Sequence, residues 1–213
     1  MGKELNLELI AKECGVPDVS DTSVVTANIQ ALDEVYEKEN LVKIYNYMLT
    51  LSKNPDVLMA LIQCEDRLRD KSSLSPLLDL LLMKNIDSEN KDLFINVRAM
   101  CAKAIANLKD TSAVTPLLYC LNNKDENYKV RLACADALGR IGDRYAVAPL
   151  IEVVRDEEEK SVYLRETAAS ALGMLGDLRA VDPLVGILEA QKGIWNKFTF
   201  LKERVIEALG KLR

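Results

Sequence analysis

Three stretches of this chain align without gaps, and that repetition constrains the fold more than any other feature. Residues 97–118 read VRAMCAKAIANLKDTSAVTPLL, 130–151 read VRLACADALGRIGDRYAVAPLI, and 164–185 read LRETAASALGMLGDLRAVDPLV. A fourth start, LKERVIEALGKLR, occupies 201–213, and a diverged earlier copy runs from Val57 to Leu78. Successive starts lie 40, 33, 34 and 37 residues apart, so length varies only between copies. A period of this size marks a supersecondary unit that buries its apolar face only against its neighbours.

The unit reads as a helical hairpin. Val130, Cys134, Ala137, Leu138 and Ile141 fall at helical spacing on one face. The small side chains at 134 and 137 let another helix come close. Gly142-Asp143 ends that helix, because glycine accepts a left-handed cap without steric cost. A second helix begins near Ala146 and carries Pro149 in its first turn, where a missing N–H is tolerated. Leu150, Ile151, Val153 and Val154 continue it, and the polar run from Asp156 to Lys160 turns into the next copy.

Stacking such hairpins gives an all-α fold, a right-handed α-α superhelix. Over 97–185 the pattern VR…A..ALG.(I/L)GD..AV.PL(I/V) resembles the HEAT-like repeats of the phycobilisome-lyase group. The resemblance implies architecture far more than function. We expect about four hairpins over 57–213, the last incomplete, preceded by an N-terminal helical cap over 1–56 that shows a polar outer face. Within the cap, Leu5, Leu7, Ile10 and Ala11 make a first helix stopped near Gly15. Ser20 or Asp21 caps a second helix with Val24, Val25, Ile29, Leu32 and Val35, and Leu41 to Leu51 supplies a third.

Composition narrows the function. The 213 residues are 49% hydrophobic and 29% charged, enough apolar content for a core. Aromatics make up only 5%, and alanine and leucine suit close-packed helices. Net charge is −5, carried by residues 1–40 at −6 against +1 over 41–213, which argues against general nucleic-acid binding. The segment LIAKECGV at 9–16 echoes the start of a helix-turn-helix, but Asp18 and Asp21 fall where that unit needs apolar residues.

The chain has no histidine, so Ser-His-Asp and Cys-His mechanisms and His-Glu metal sites are excluded within it. Five cysteines, none in a C-x-x-C pair, argue against a secreted disulfide framework. Cys101, Cys134 and Ala168 share one repeat position, the mark of a small buried slot. With no run apolar and long enough for a bilayer and no signal pattern, a cytoplasmic location is expected.

The remaining candidates are surfaces. Second helices of a solenoid line its concave face. Their outward positions form three rows: Ser75, Thr115, Ala148 and Asp182; Asp79, Tyr119, Glu152 and Gly186; Leu82, Asn122, Arg155 and Glu189. Mixed polarity suits a protein partner better than a phosphate backbone. From these rows Asp79, Thr115, Tyr119, Asn122, Glu152, Arg155, Asp182 and Glu189 are the candidate contacts, with Trp195 from the aromatic cluster Trp195, Phe198 and Phe200. Aromatics also precede other first helices, at Phe94, Tyr128 and Tyr163, which suggests a staple onto each helix start. Arg98, Arg131 and Arg165, with Asp110, Asp143 and Asp177, read as an inter-repeat ladder of charge-assisted hydrogen bonds. Leu201, Val205, Ala208, Leu209 and Leu212 give the last helix a face that packs back on the preceding repeat or serves a second copy.

The function expected is therefore a non-enzymatic scaffold or adaptor for a protein partner, with no cofactor and no metal. Two alternatives follow from the repeat: a subunit or chaperone of a bilin-lyase-like enzyme acting on phycobiliproteins, and a HEAT-like nucleic-acid binder.

Overall fold

The computed structural model describes residues 5–83, 91–190 and 199–212. Among these the regular structure is helical: α1 (Leu7–Cys14), α2 (Thr22–Ala31), α3 (Lys38–Leu51), α4 (Pro55–Leu68), α5 (Leu74–Leu81), α6 (Lys91–Leu108), α7 (Val114–Asn122), α8 (Tyr128–Ile141), α9 (Val147–Arg155), α10 (Val162–Leu175), α11 (Val181–Ala190) and α12 (Thr199–Lys211). The fold is the all-α solenoid type that the repeat implies. The chain packs as two compact units, Met1–Ala104 and Ile105–Arg213, dividing inside α6.

In the first unit, side-chain caps open α1, α2 and α4. The Asn6 side chain accepts from Leu9 N at 3.0 Å to open α1, and Gly15 closes it at φ 81. Asp21 accepts from Ser23 N at 2.9 Å to open α2, and Asn54 accepts from Asp56 N at 3.0 Å ahead of Pro55 in α4. These contacts satisfy N–H groups that have no partner inside the helix. Tyr45 of α3 is wholly buried, and its hydroxyl donates to Asp33 Oδ1 at 2.8 Å, which meets the rule that a buried hydroxyl needs a partner. Asp33 is also paired with Arg67 of α4 at 2.6 Å.

The hairpin turn repeats as a physical device. Asp70, Asp110, Asp143 and Asp177 each open a short 3-10 turn, accepting from the N–H two residues on at 3.0, 3.0, 2.8 and 3.0 Å. The residue before each aspartate is left-handed: Arg69 at φ 51, Lys109 at φ 50, Gly142 at φ 86 and Gly176 at φ 67. The diverged copy at 57–78 thus keeps the same turn without its glycine. Pro149 sits in the first turn of α9, as its position in the repeat requires.

In the second unit the first helices α8, α10 and α12 lie side by side, while α9 packs on α10 and α11. Glycine sets the closest approaches. A Cβ at Gly139 of α8 would lie 2.7 Å from Ala171 Cα of α10, and one at Gly173 would lie 2.8 Å from Ala208 Cα of α12. Cys101, Cys134 and Ala168 are fully buried, which is the small slot the shared position indicated. All five cysteines are buried. The apolar face of α12 packs back on α10 and buries Leu201, Val205, Ala208 and Leu212.

Candidate partner-binding surface

The expected ladder divides into two separate devices. The arginines are buried, with Arg98 at 8%, Arg131 at 5% and Arg165 at 5% exposure. Their Nε atoms donate to Leu81 O, Leu121 O and Val154 O at 2.7, 2.9 and 3.0 Å. Those carbonyls end the preceding second helices and have no acceptor role left inside them. Each arginine therefore ties a first helix to the hairpin before it through a charge-assisted bond. The aspartates instead cap their own turns, and Asp177 also lies 3.9 Å from Arg144 of the preceding turn. Arg131 reaches further: its NH1 meets Glu159 Oε2 at 2.7 Å, both side chains 7% exposed, so the connector after α9 is held from inside.

With that scaffold fixed, the second helices present their outward rows. Asp79 on α5 is exposed in the first unit. In the second unit Thr115, Tyr119 and Asn122 are exposed on α7, Glu152 and Arg155 on α9, and Asp182 and Glu189 on α11. Three of these residues meet in one depression of about 360 Å³. Asn122, Glu152 and Arg155 line it together with Lys124, Pro149 and Asp156. Residues of α7 and α9 line it together with buried Arg131.

The electrostatics of this depression are paired. Lys124 Nζ donates to Asp156 Oδ2 at 2.8 Å, and that contact holds the Asp156 carboxyl below its ordinary range and the Lys124 ammonium above its own. Asp156 also accepts from Glu158 N at 3.1 Å, which shapes the connector. Glu152 and Arg155 project from the same stretch of α9. An occupant thus meets a carboxylate, a guanidinium and a carboxamide within one concavity, a setting for a segment of mixed charge.

Trp195 and Phe198 lie outside the described residues. Phe94 is buried, but Tyr128, Tyr163 and Phe200 are 45%, 68% and 69% exposed. Burial near the helix start is thus seen for Phe94 and not for the other three. The reason is position: Phe94 sits a full turn inside α6, whereas the other three stand at the first or second residue of their helices, with their rings turned outward. The sequence reading missed the first-helix groove that two of these tyrosines line with Asp136 and Glu166.

Among the described residues, no helix is long and apolar enough to cross a membrane. No group of three or more metal-ligating side chains converges there either. Comparison with curated proteins finds no match. Among solved structures, human deoxyhypusine hydroxylase in complex with glycerol is similar at a TM-score of 0.45 and 11% identity, over 97% of this chain and 95% of that chain. The family model for HEAT repeats matches residues 84–162 and 123–209, more than half of the sequence, and the chain belongs to the HEAT-repeat family.

Proposed function

We propose that this protein is a non-enzymatic scaffold of the cytosol that binds a protein partner along its second helices. The observation that supports this reading is the convergence of Asn122, Glu152 and Arg155 on one depression flanked by the Lys124–Asp156 pair. Opposite charges held a short distance apart on rigid helices select by complementarity, and they penalise partners that place like charges there. The partner segment would carry an acidic side chain toward Arg155 and a basic one toward Glu152. Thr115, Tyr119, Asp182 and Glu189 extend the contact along α7 and α11, with Tyr119 as the aromatic anchor, 52% exposed. The finer likeness of 97–185 to phycobilisome-lyase repeats concerns the repeat itself, and a scaffold uses that repeat equally.

The test is a double charge reversal, Glu152→Lys with Arg155→Glu. Both side chains are exposed, so the fold tolerates the change. The variant should lose the partner while its far-UV circular dichroism and unfolding midpoint stay those of the native chain. Equal retention by both proteins would refute the surface.

A further inference from the structure

We infer that the first-helix side of the second unit carries a separate site for a basic side chain, arginine or lysine, presented by a protein partner. The site is a groove of about 410 Å³ between α8 and α10, bordered by α12. From α8 come Tyr128 and Asp136, from α10 Tyr163, Glu166 and Ser170, and from α12 Arg204. Tyr128, Leu132 and Asp136 recur every four residues, so they form one stripe along α8. Tyr163, Glu166 and Ser170 form the facing stripe on α10 by spacings of three and four.

Two features single out this groove. The first is its pair of tyrosines, 45% and 68% exposed, on helices whose other apolar side chains are mostly buried. Rings held on rigid helices lose little entropy on binding and dominate interface energetics. The second is charge. Glu166 makes no salt bridge within 4 Å among the described residues, and partial burial pushes its carboxyl above the ordinary range against the pull of Arg204. Arg204 itself is held by Glu207 at 2.7 Å. Asp136 has Arg140 only at 3.8 Å, and that guanidinium also donates to Asn107. Arg140 and the groove-lining Arg204 thus each have another partner, and two carboxylates line the groove together with the two tyrosines.

A guanidinium or ammonium satisfies both features at once. It pairs with Asp136 and Glu166, lies against the Tyr128 and Tyr163 rings through cation–π attraction, and rests its methylene stem on Leu132. An anionic occupant would meet both carboxylates and be repelled. A neutral one would cover Glu166 without compensating its charge, which is unfavourable.

The experiment titrates the ¹⁵N-labelled full chain with acetyl-Gly-Arg-Gly-amide and, separately, with the same peptide carrying citrulline. Citrulline keeps the shape of arginine and removes its charge. Saturable amide shifts confined to 128–136, 163–170 and the region of 204, seen with arginine and absent with citrulline, support the site. The Tyr163→Ala, Glu166→Gln variant should weaken that binding roughly fivefold. The Glu152→Lys, Arg155→Glu variant should leave it unchanged, which separates this site from the second-helix surface. Equal shifts with citrulline, shifts centred elsewhere, or none at millimolar peptide would overturn it.

Discussion

Glu65 offers the sharpest physical test of how the repeat is built. It stands in α4 where the later copies have Ile105, Leu138 and Leu172, and Ser73 stands where they have Ala113, Ala146 and Ala180. All six of those apolar side chains are fully buried, and Glu65 is 1% exposed. An aliphatic–alanine pair of the later copies is here a glutamate–serine pair, with Ser73 Oγ donating to Glu65 Oε2. The other oxygen, Oε1, is buried and has no hydrogen-bond partner among the described residues. Burial pushes the carboxyl up to about 7, the nearby Asp70 carboxylate adds to that, and the Ser73 hydroxyl opposes it. The folded state therefore binds the proton more tightly than the unfolded chain does. Its stabilising contribution is complete below the ordinary glutamate range, is lost as pH rises, and is gone above about 7. The change from 4.5 to about 7 is worth about 3 kcal/mol. No histidine titrates in this window. Urea unfolding followed from pH 5 to 8 should show the native chain losing about 2–3 kcal/mol. The Glu65→Leu, Ser73→Ala variant, which imports the pair found in the later copies, should be flat and more stable at pH 8. A flat native profile, or an equal slope in the variant, would refute the reasoning.

Other expectations follow from single contacts. Gly139→Ala places a Cβ within 2.7 Å of the α10 backbone and should cost ~1–3 kcal/mol in urea unfolding, whereas Gly186→Ala meets open space in α11 and should gain up to about 1 kcal/mol from helix propensity. Arg131→Met breaks the bond to Leu121 O and strands buried Glu159, at a cost of ~3–5 kcal/mol; an Arg131/Glu159 double-mutant cycle should return a positive coupling energy. Lys109→Gly relieves a left-handed residue at φ 50 and should raise stability by about 1 kcal/mol, read from the same denaturation.

Much of the fold was legible in the sequence, because hairpin boundaries rest on local chemistry. Gly142 and Gly176 advertise their left-handed caps, and Pro149 marks the start of α9. The same cap at Arg69 and Lys109 is silent in sequence, since neither residue type favours that conformation. Periodicity also showed that Arg98, Arg131 and Arg165 are structural, but not what they bind. Their partners are helix-end carbonyls, and backbone acceptors leave no residue signature. Helical spacing correctly marked Asn122, Glu152 and Arg155 as outward-facing. That they share a depression depends on how α7 packs beside α9, a tertiary fact the pattern does not encode. The exposure of Tyr128 and Tyr163 was illegible for a related reason. An aromatic before a helix reads as a staple until its place within the first turn is known, and the facing carboxylates lie on separate helices.

The measurement that bears most directly on the proposed function is affinity capture with the native chain and the Glu152→Lys, Arg155→Glu variant side by side. Binding along the second helices requires a protein retained by the native chain and lost from the variant, with both proteins folded by circular dichroism. The same protein retained equally by both would contradict it and remove α9 from the binding surface.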